Sequence, residues 1–358
     1  MVDSISVSAD LPCGSIGNAR VADSGSVEIE VQSSLEFGIE GSLETWVCGR
    51  LEGHREAVEV RVVNEHGNMQ FLRPVARQPG DEWRHVATFG YRERAFRFLV
   101  PAAGGEAVEF ATWWPYGDSD HVALLDDLGH LDSARIEEIG KTSRVRRLHA
   151  VVVGERPRPT LAVVSGFHGG EPSALWATDA LLRFATSPAG RALREAVTLV
   201  AIPLVNRDAV AEGLDRRSAD GLNLWLDTEA AAAPEVRALD DFLATVRPQA
   251  LVDIHSWHWV GDGCYTPGWL AAGDDLYARV LDLRAAIDRE FPLGGQLFFS
   301  DDEACWLTRA CVELGVPAID AEVSLARGSD GAWKTRDRAR DDGVAILRGA
   351  TTFASEVP

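Results

Sequence analysis

The sequence predicts an α/β protein in two domains: an N-terminal antiparallel β-sandwich over residues 1–115, then an α/β domain over residues 116–358. Three observations carry this. The chain has 358 residues, more than one ordinary core accommodates. Its first part consists of short apolar segments, several of them alternating, separated by Gly, Pro, Asn and Asp; paired strands with one buried face read this way. Beyond residue 117, near-continuous apolar runs alternate with segments of helical period, as in a sheet covered by helices on both faces.

The predicted elements follow in order. "SVEIEVQ", "LETWVCGRL", "AVEVRVVNE", "RHVATFGY", "AFRFLVP" and "AVEFATWW" are the sandwich strands. In "PYGDSDHVALLDDLGHL" the pattern changes. Asp118 or Ser119 caps a helix whose apolar residues Val122, Leu124, Leu125 and Leu128 recur at helical spacing. "LHAVVVG", "TLAVVSGF", "AVTLVAIPLV", "ALVDIHSW" and "PAIDAEVS" are strands. "SALWATDALLRFAT", "PEVRALDDFLATV", "ACWLTRACVELG" and the closing "RDRARDDGVAILRGATTFAS" are helices. No flexible spacer marks the boundary near Pro115, so the domains are expected to dock closely.

Composition excludes several functions. Net charge is −20, which repels nucleic acid and anionic membranes. No apolar run approaches the ~20 residues of a membrane helix. "MVDSISVSADLPCGS" lacks the basic start and apolar core of a signal peptide, so a cytoplasmic location is expected. The five cysteines, Cys13, Cys48, Cys264, Cys305 and Cys311, are odd in number and form no CxxC pair. Buried free thiols are therefore expected rather than a zinc knuckle or a disulfide framework.

The chemistry lies at strand ends. In "VVSGFHGGEPSALWA" an apolar strand stops at His168, and Glu171 follows after two glycines that allow a turn. Open α/β sheets bind ligands beyond the carboxyl ends of their strands. An imidazole and a carboxylate there are two-thirds of a catalytic zinc site. His255, which ends "ALVDIHSW" in the same manner, supplies the third ligand. Two histidines and one glutamate leave a zinc position open for water. His258 lies three residues beyond His255 and fits poorly as a ligand. A base is still needed. Glu322 and Asp320 share one face of "PAIDAEVS", and either can point to the site.

The ordered set "FHGGE", "PLVNRDAVAEGLDRRSADGLNLW", "DIHSW" and "AIDAEVS" resembles the zinc carboxypeptidases of the funnelin superfamily. The leading sandwich, the junction "WPYGDSD" and the segment "IGKTSRVRRLHAVVVG" are similar to the cytosolic carboxypeptidase branch. The resemblance spans nearly the whole chain. It implies a mixed sheet flanked by helices and one zinc ion per chain, held by His168, Glu171 and His255. It implies Glu322 as general base and later acid, and Arg216 or Arg217 as the group that polarises the scissile carbonyl. It makes Asn223 a candidate for substrate binding, and Asn206 in "VNRDAV" a structural residue.

One departure bears on the substrate. The family follows "DLN" with an arginine that clamps a terminal carboxylate. Here "GLNLWLD" puts Leu224 or Leu226 in its place, depending on the alignment of Asn223. A leucine makes no bidentate clamp. Arg327 is a candidate replacement, and Tyr265 and Tyr277 are unaligned candidates for the family tyrosine. The tryptophans Trp225, Trp257, Trp259 and Trp306 are expected in the core rather than lining a pocket, and the arginines of "RVRRLH" and "RPRP" on a solvated rim. The expected activity is removal of a C-terminal residue from a peptide. The alternatives are an amide deacylase of the aspartoacylase and desuccinylase type, acting on an acylated amino acid or biosynthetic intermediate, and a binding module without activity.

Overall fold

Alternation in the first part of the chain resolves into two facing sheets. The structure, a computed structural model, describes residues 5–31, 45–63, 68–155, 158–226, 228–258, 260–293, 296–300 and 305–356. The strands here are β1 (Ser6–Ser8), β2 (Asn18–Val21), β3 (Val27–Glu30), β4 (Cys48–Glu52), β5 (Val58–Val63), β6 (Val75–Arg77), β7 (Arg84–His85), β8 (Thr88–Arg92), β9 (Ala95–Val100) and β10 (Val108–Ala111). They form two five-stranded sheets, ordered β1-β4-β10-β6-β7 and β2-β3-β5-β9-β8. Among the described residues the pairings are antiparallel except β3 with β5. Strand β5 buries Val58, Val60 and Val62 and turns Glu59 and Arg61 outward, the period of two that its sequence predicts.

"RHVATFGY" is one run in sequence and two strands in space. Val86 N bonds Pro74 O beside the first sheet, and Ala87 O accepts from Leu99 N in the second. Alternation records which residues are buried, not which sheet they join.

The second part holds β11 (Ala134–Lys141), β12 (Arg147–Val153), β13 (Thr160–Ser165), β14 (Thr198–Ile202), β15 (Ala250–Trp257), β16 (Gly263–Pro267), β17 (Gln296–Ser300) and β18 (Ala318–Ser324). Its helices are α1 (Asp118–Gly129), α2 (Pro172–Thr186), α3 (Arg191–Ala196), α4 (Arg207–Glu212), α5 (Pro234–Val246), α6 (Trp269–Ala272), α7 (Asp274–Asp288), α8 (Trp306–Leu314) and α9 (Arg336–Glu356). The eight-stranded sheet runs β11-β12-β14-β13-β15-β18-β16-β17. Its centre, β14-β13-β15-β18, is parallel, and β11, β12 and β16 pair antiparallel with their inner neighbours. The sheet is thus mixed and flanked by helices.

Sequence reading passes over β11, β16, β17 and α7. β11 is an edge strand of mixed exposure with Glu137 and Glu138 in it. β16, "GCYTP", carries the glycine and proline of a turn. The cap of α1 also differs from expectation: Gly117 holds that position, and its N–H is accepted by Asp120 Oδ2, so Asp118 becomes the first helical residue.

The sheet's two faces divide by parity. Val163, Val252, Ile254, Ala321 and Val323 pack toward α2, α9 and the sandwich in one continuous apolar cluster. Val164, Leu251 and Ala318 pack toward α5 and α8 in another. On that second face the apolar residues of β15 and β18 give way, two residues at a time, to charged ones. Leu251 leads to Asp253 and His255, and Ala318 to Asp320 and Glu322.

The sandwich docks on the α/β part without a linker. Trp176 Nε1 donates to Pro115 O at 3.2 Å, and Tyr116 meets the Trp176 ring edge-on. Thr45 N and Trp46 N donate to Asp215 Oδ2 at 2.6 and 2.8 Å.

Candidate metal and catalytic site

His168 and Glu171 lie just past the carboxyl end of β13. Gly166, at φ +75, makes the exit turn that a side chain would strain. Gly169 and Gly170 serve close approach instead of conformational freedom. A Cβ on Gly169 would lie 2.6 Å from Leu214 O, and one on Gly170 would lie 2.1 Å from Asp215 Oδ1. The strand exit is therefore pressed against the loop that carries Arg216.

His255 ends the apolar part of β15, and its Cα partner across the parallel ladder is Glu322 on β18. Register places the two side by side on one face. His168, Glu171 and His255 are all buried, and one ligand atom from each lies within 4.8 Å of the others. Glu171 bridges the rings: His168 Nδ1 is 2.8 Å from Oε1 and His255 Nδ1 is 3.1 Å from Oε2. Ser256 N donates to Glu171 Oε2 at 2.8 Å and fixes the carboxylate.

The far nitrogens show what this cluster is fit for. His168 Nε2 lies 3.1 Å from Asn223 Oδ1, an atom that also accepts from Trp225 N and Leu226 N and so is the amide oxygen. His255 Nε2 lies 3.1 Å from Asp253 Oδ2, which also accepts from Trp225 Nε1 at 2.8 Å. Both Nε2 atoms therefore donate, and the Nδ1 lone pairs converge with a carboxylate. Such a set fits a divalent cation or, in its place, protons. Burial alone would raise the Glu171 carboxyl, but the His168 and His255 imidazoles hold it well below the usual carboxylate range. Burial opposes charge on His255, yet Asp253, Asp320 and Glu171 carry it well above an ordinary imidazole. Burial, and after it the Glu171 carboxylate, push Glu322 up to about 8. Burial likewise pushes Asp320 well above its usual range.

The structure separates the two arginine candidates. Arg216 Nη1 lies 3.4 Å from Glu171 Oε1. Arg217 Nη1 is turned to its own loop, donating to Gly221 O at 2.8 Å. Asn223 is the acceptor for the His168 ring. Arg327 stacks over the Trp333 ring at 3.8 Å and donates to Gly331 O. His258 is buried, and burial with the nearby Arg216 charge lowers it to about 3, leaving it neutral. Tyr265 pairs across β16 and β18 with Asp320. Trp225 and Trp306 are buried as expected, with Trp306 against Phe167 at 4.7 Å. Trp259 lies outside the described residues. Asn206 caps α4 and donates to Phe167 O at 3.0 Å, a structural role.

Two functional positions escape sequence reading. Asp253 is two residues before His255, and period two alone signals its shared face. Asp215 accepts from Thr45 N and Trp46 N at 2.6 and 2.8 Å, joining the sandwich to the residue beside Arg216. Arg146, expected on a solvated rim, instead pairs at 2.7 Å with the buried Asp208. All five cysteines are free and buried.

Fold and site geometry together place the chain among proteins built on the metallo-carboxypeptidase fold. The crystal structure of a metallo-carboxypeptidase from Burkholderia cenocepacia superposes with a TM-score of 0.83 at 18% identity, covering 98% of this chain and 99% of that one. A metallo-carboxypeptidase from Pseudomonas aeruginosa, in complex with (2-guanidinoethylmercapto)succinic acid, matches with a TM-score of 0.78 at 19% identity over 97% and 98% of the two chains. Thrombin activatable fibrinolysis inhibitor matches 67% of this chain and 76% of its own, with a TM-score of 0.52 at 14% identity. No protein-family model matches the sequence, and no curated protein matches it. No helix among the described residues is long and apolar enough to cross a membrane.

Proposed function

We propose that the protein is a zinc-dependent hydrolase of a peptide or amide bond, with His168, Glu171 and His255 as the metal ligands. One observation carries the reading: two buried imidazoles, each with its Nε2 proton already donated, turn their Nδ1 lone pairs toward one carboxylate. Zinc bound there supplies Lewis acidity, which polarises a carbonyl and makes water a nucleophile near neutral pH.

The chain's own groups do the rest. Glu322 takes the proton from the attacking water and returns it to the leaving amine. Its Oε2 is buried and has no hydrogen-bond partner among the described residues, as suits a base that meets water or substrate. Arg216 is the guanidinium at the site, suited to the charge that develops on the carbonyl oxygen. Asn223 and Asp253 orient the two ligand rings. Glu171, tied by Ser256, keeps the third donor in place.

The first reading of the substrate is a peptide that loses its C-terminal residue, in line with the fold. A second reading, an amide deacylase for an acylated amino acid or intermediate, is favoured by the lack of the arginine clamp for a terminal carboxylate. In either alignment of Asn223 a leucine, Leu224 or Leu226, stands where the resemblance expects the arginine. Arg327 faces Trp333 and Gly331.

Product analysis by mass spectrometry on zinc-loaded protein, wild type beside Glu322→Gln, tests the reading. A released C-terminal amino acid supports the first substrate class and a released acyl group the second. An active Glu322→Gln enzyme sinks the assignment of the base. His168→Ala should lose its zinc by inductively coupled plasma mass spectrometry, and a full complement would remove His168 from the ligand set.

A further inference from the structure

We infer that the cavity between the sandwich and the α/β part is a second ligand site, one that takes a free α-amino acid with an aromatic or aliphatic side chain. The inference goes beyond the hydrolase reading and does not depend on it.

The cavity has a volume of about 230 Å³. Sites for drug-sized ligands run to ~300–1,000 Å³, so this one suits a smaller molecule. Arg77 on β6 and Glu109 on β10 form one wall and the start of α1 another. Trp176 on α2 and Arg336 at the head of α9 form the third. Junctions between domains are where such sites collect. His168, Glu171, His255, Glu322 and Arg216 do not line it.

Charges of both signs meet there. Glu109 is buried and already paired: Arg77 Nε lies 2.8 Å from its Oε2, and Arg50 Nη2 lies 2.9 Å from its Oε1. Two guanidiniums on one carboxylate leave this wall with surplus positive charge. Arg336 Nε is buried and has no hydrogen-bond partner among the described residues. Asp337 Oδ1, at 3.6 Å, is beyond hydrogen-bond range. An unmade buried donor is costly and calls for an acceptor. Asp120 supplies the opposite sign, and its Oδ2 takes Gly117 N at 2.8 Å. Burial raises the Asp120 carboxyl while the Arg77 and Arg336 guanidiniums pull it down, so all three share one field. A purely anionic ligand would face Asp120, and a purely cationic one would face two guanidiniums. A zwitterion satisfies both, with its carboxylate on Arg336 and its ammonium on Asp120.

The rest of the lining is largely apolar. Arg77 stacks over the Trp83 ring at 4.5 Å, and Arg336 lies 5.5 Å from the centre of the Trp176 ring. Stacking fixes the plane of a guanidinium and leaves its edge for a carboxylate. Trp114 brings a third indole to the wall, and three indoles give an apolar side chain its contact area. Water filling a gap between docked domains is the rival account, and it gives no affinity that depends on both charges of a ligand.

Calorimetric titration of the full-length chain tests this with L-phenylalanine, with N-acetyl-phenylalanine, which lacks the ammonium, and with phenethylamine, which lacks the carboxylate. We expect phenylalanine to bind with a Kd of about 1 mM or tighter. Each truncated analogue should bind at least about tenfold more weakly. Arg336→Gln and Asp120→Asn should each weaken phenylalanine about tenfold with the zinc content unchanged. His168→Ala should bind it as the wild type does, which separates the cavity from product binding at the metal centre. Absence of binding at about 10 mM phenylalanine, equal binding of either analogue, binding that survives either cavity substitution, or binding lost in His168→Ala overturns the site and leaves the hydrolase reading intact. Binding of the expected kind in a chain that cleaves no amide upholds the site and sinks the hydrolase reading. If a variant does not fold, the comparison of the three ligands on wild type in chelator decides.

Discussion

Replacing the candidate base should stabilise the protein once its metal is chelated, and should do so only at alkaline pH. Glu322 is buried beside Glu171, and its carboxyl lies at about 8 against 4.5 in the unfolded chain. The sign follows from proton binding. Between those values the folded state holds a proton that the unfolded state has lost, so stability falls as pH rises through the window. Below 4.5 both states are protonated and the penalty is absent. Above about 8 the folded protein carries the full buried charge. Each pH unit is worth about 1.4 kcal/mol, which sets an upper bound of about 5 kcal/mol across the window. Mutual relaxation with His255 and Arg216 reduces this to on the order of 2–3 kcal/mol. Glu322→Gln mimics the protonated carboxyl at every pH. Urea unfolding in chelator at pH 5 and pH 9, followed by tryptophan fluorescence, should give nearly equal stabilities at pH 5 and a more stable variant at pH 9. A variant less stable than wild type at pH 9 would refute the reasoning, because Glu322 would then be compensated in the folded state.

Asp215→Ala removes the acceptor for Thr45 N and Trp46 N, and at about 1–3 kcal/mol for a buried unmade N–H it should destabilise by about 3 kcal/mol and lower turnover through Arg216; Asp215→Asn keeps an acceptor oxygen and should lose less in the same unfolding and rate assays. A loss under about 0.5 kcal/mol in Asp215→Ala would mean the sandwich does not brace that loop. Gly343→Ala sets two effects against each other. Helix propensity favours alanine by about 1 kcal/mol, but the new Cβ would lie 2.0 Å from Ala177 O where α9 crosses α2, so thermal unfolding should show net destabilisation of about 1–3 kcal/mol. Equal or higher stability would show that the helices separate without loss.

Much of the site was legible because the ligands come at the ends of two apolar strands and the candidate base lies on a third. "TLAVVSGFHGGE", "ALVDIHSW" and "PAIDAEVS" each pass from apolar to titratable residues toward the carboxyl end of a strand, and a parallel sheet collects such ends at one edge. Elements whose signal is local were read the same way: α9 and α2 have the helical period that their sequences display. Elements defined by partners were not. β11 is polar at a sheet edge, and "RHVATFGY" changes sheets without any change of pattern. Arg216 and Arg217 are adjacent in sequence, and only the fold of their loop turns one to Glu171 and the other to Gly221.

The acidic patch lies at the limit of what sequence carries. Period two puts Asp253 on the face of His255 and Asp320 on the face of Glu322, and both facts are local. That the two aspartates meet depends on the register of β15 against β18, which is set by contacts between residues far apart in sequence. A slip of one residue would turn Asp320 and Glu322 toward α2 and α9, where Ile319, Ala321 and Val323 now pack, and would bury two carboxylates in an apolar core. The apolar alternation of β18 therefore holds the register, and the register brings Asp253, Asp320 and Glu322 together. The same hydrophobic pattern that stabilises the sheet thus concentrates carboxylates at the carboxyl end of its central strands, beside the cluster that fits a metal and beside Arg216.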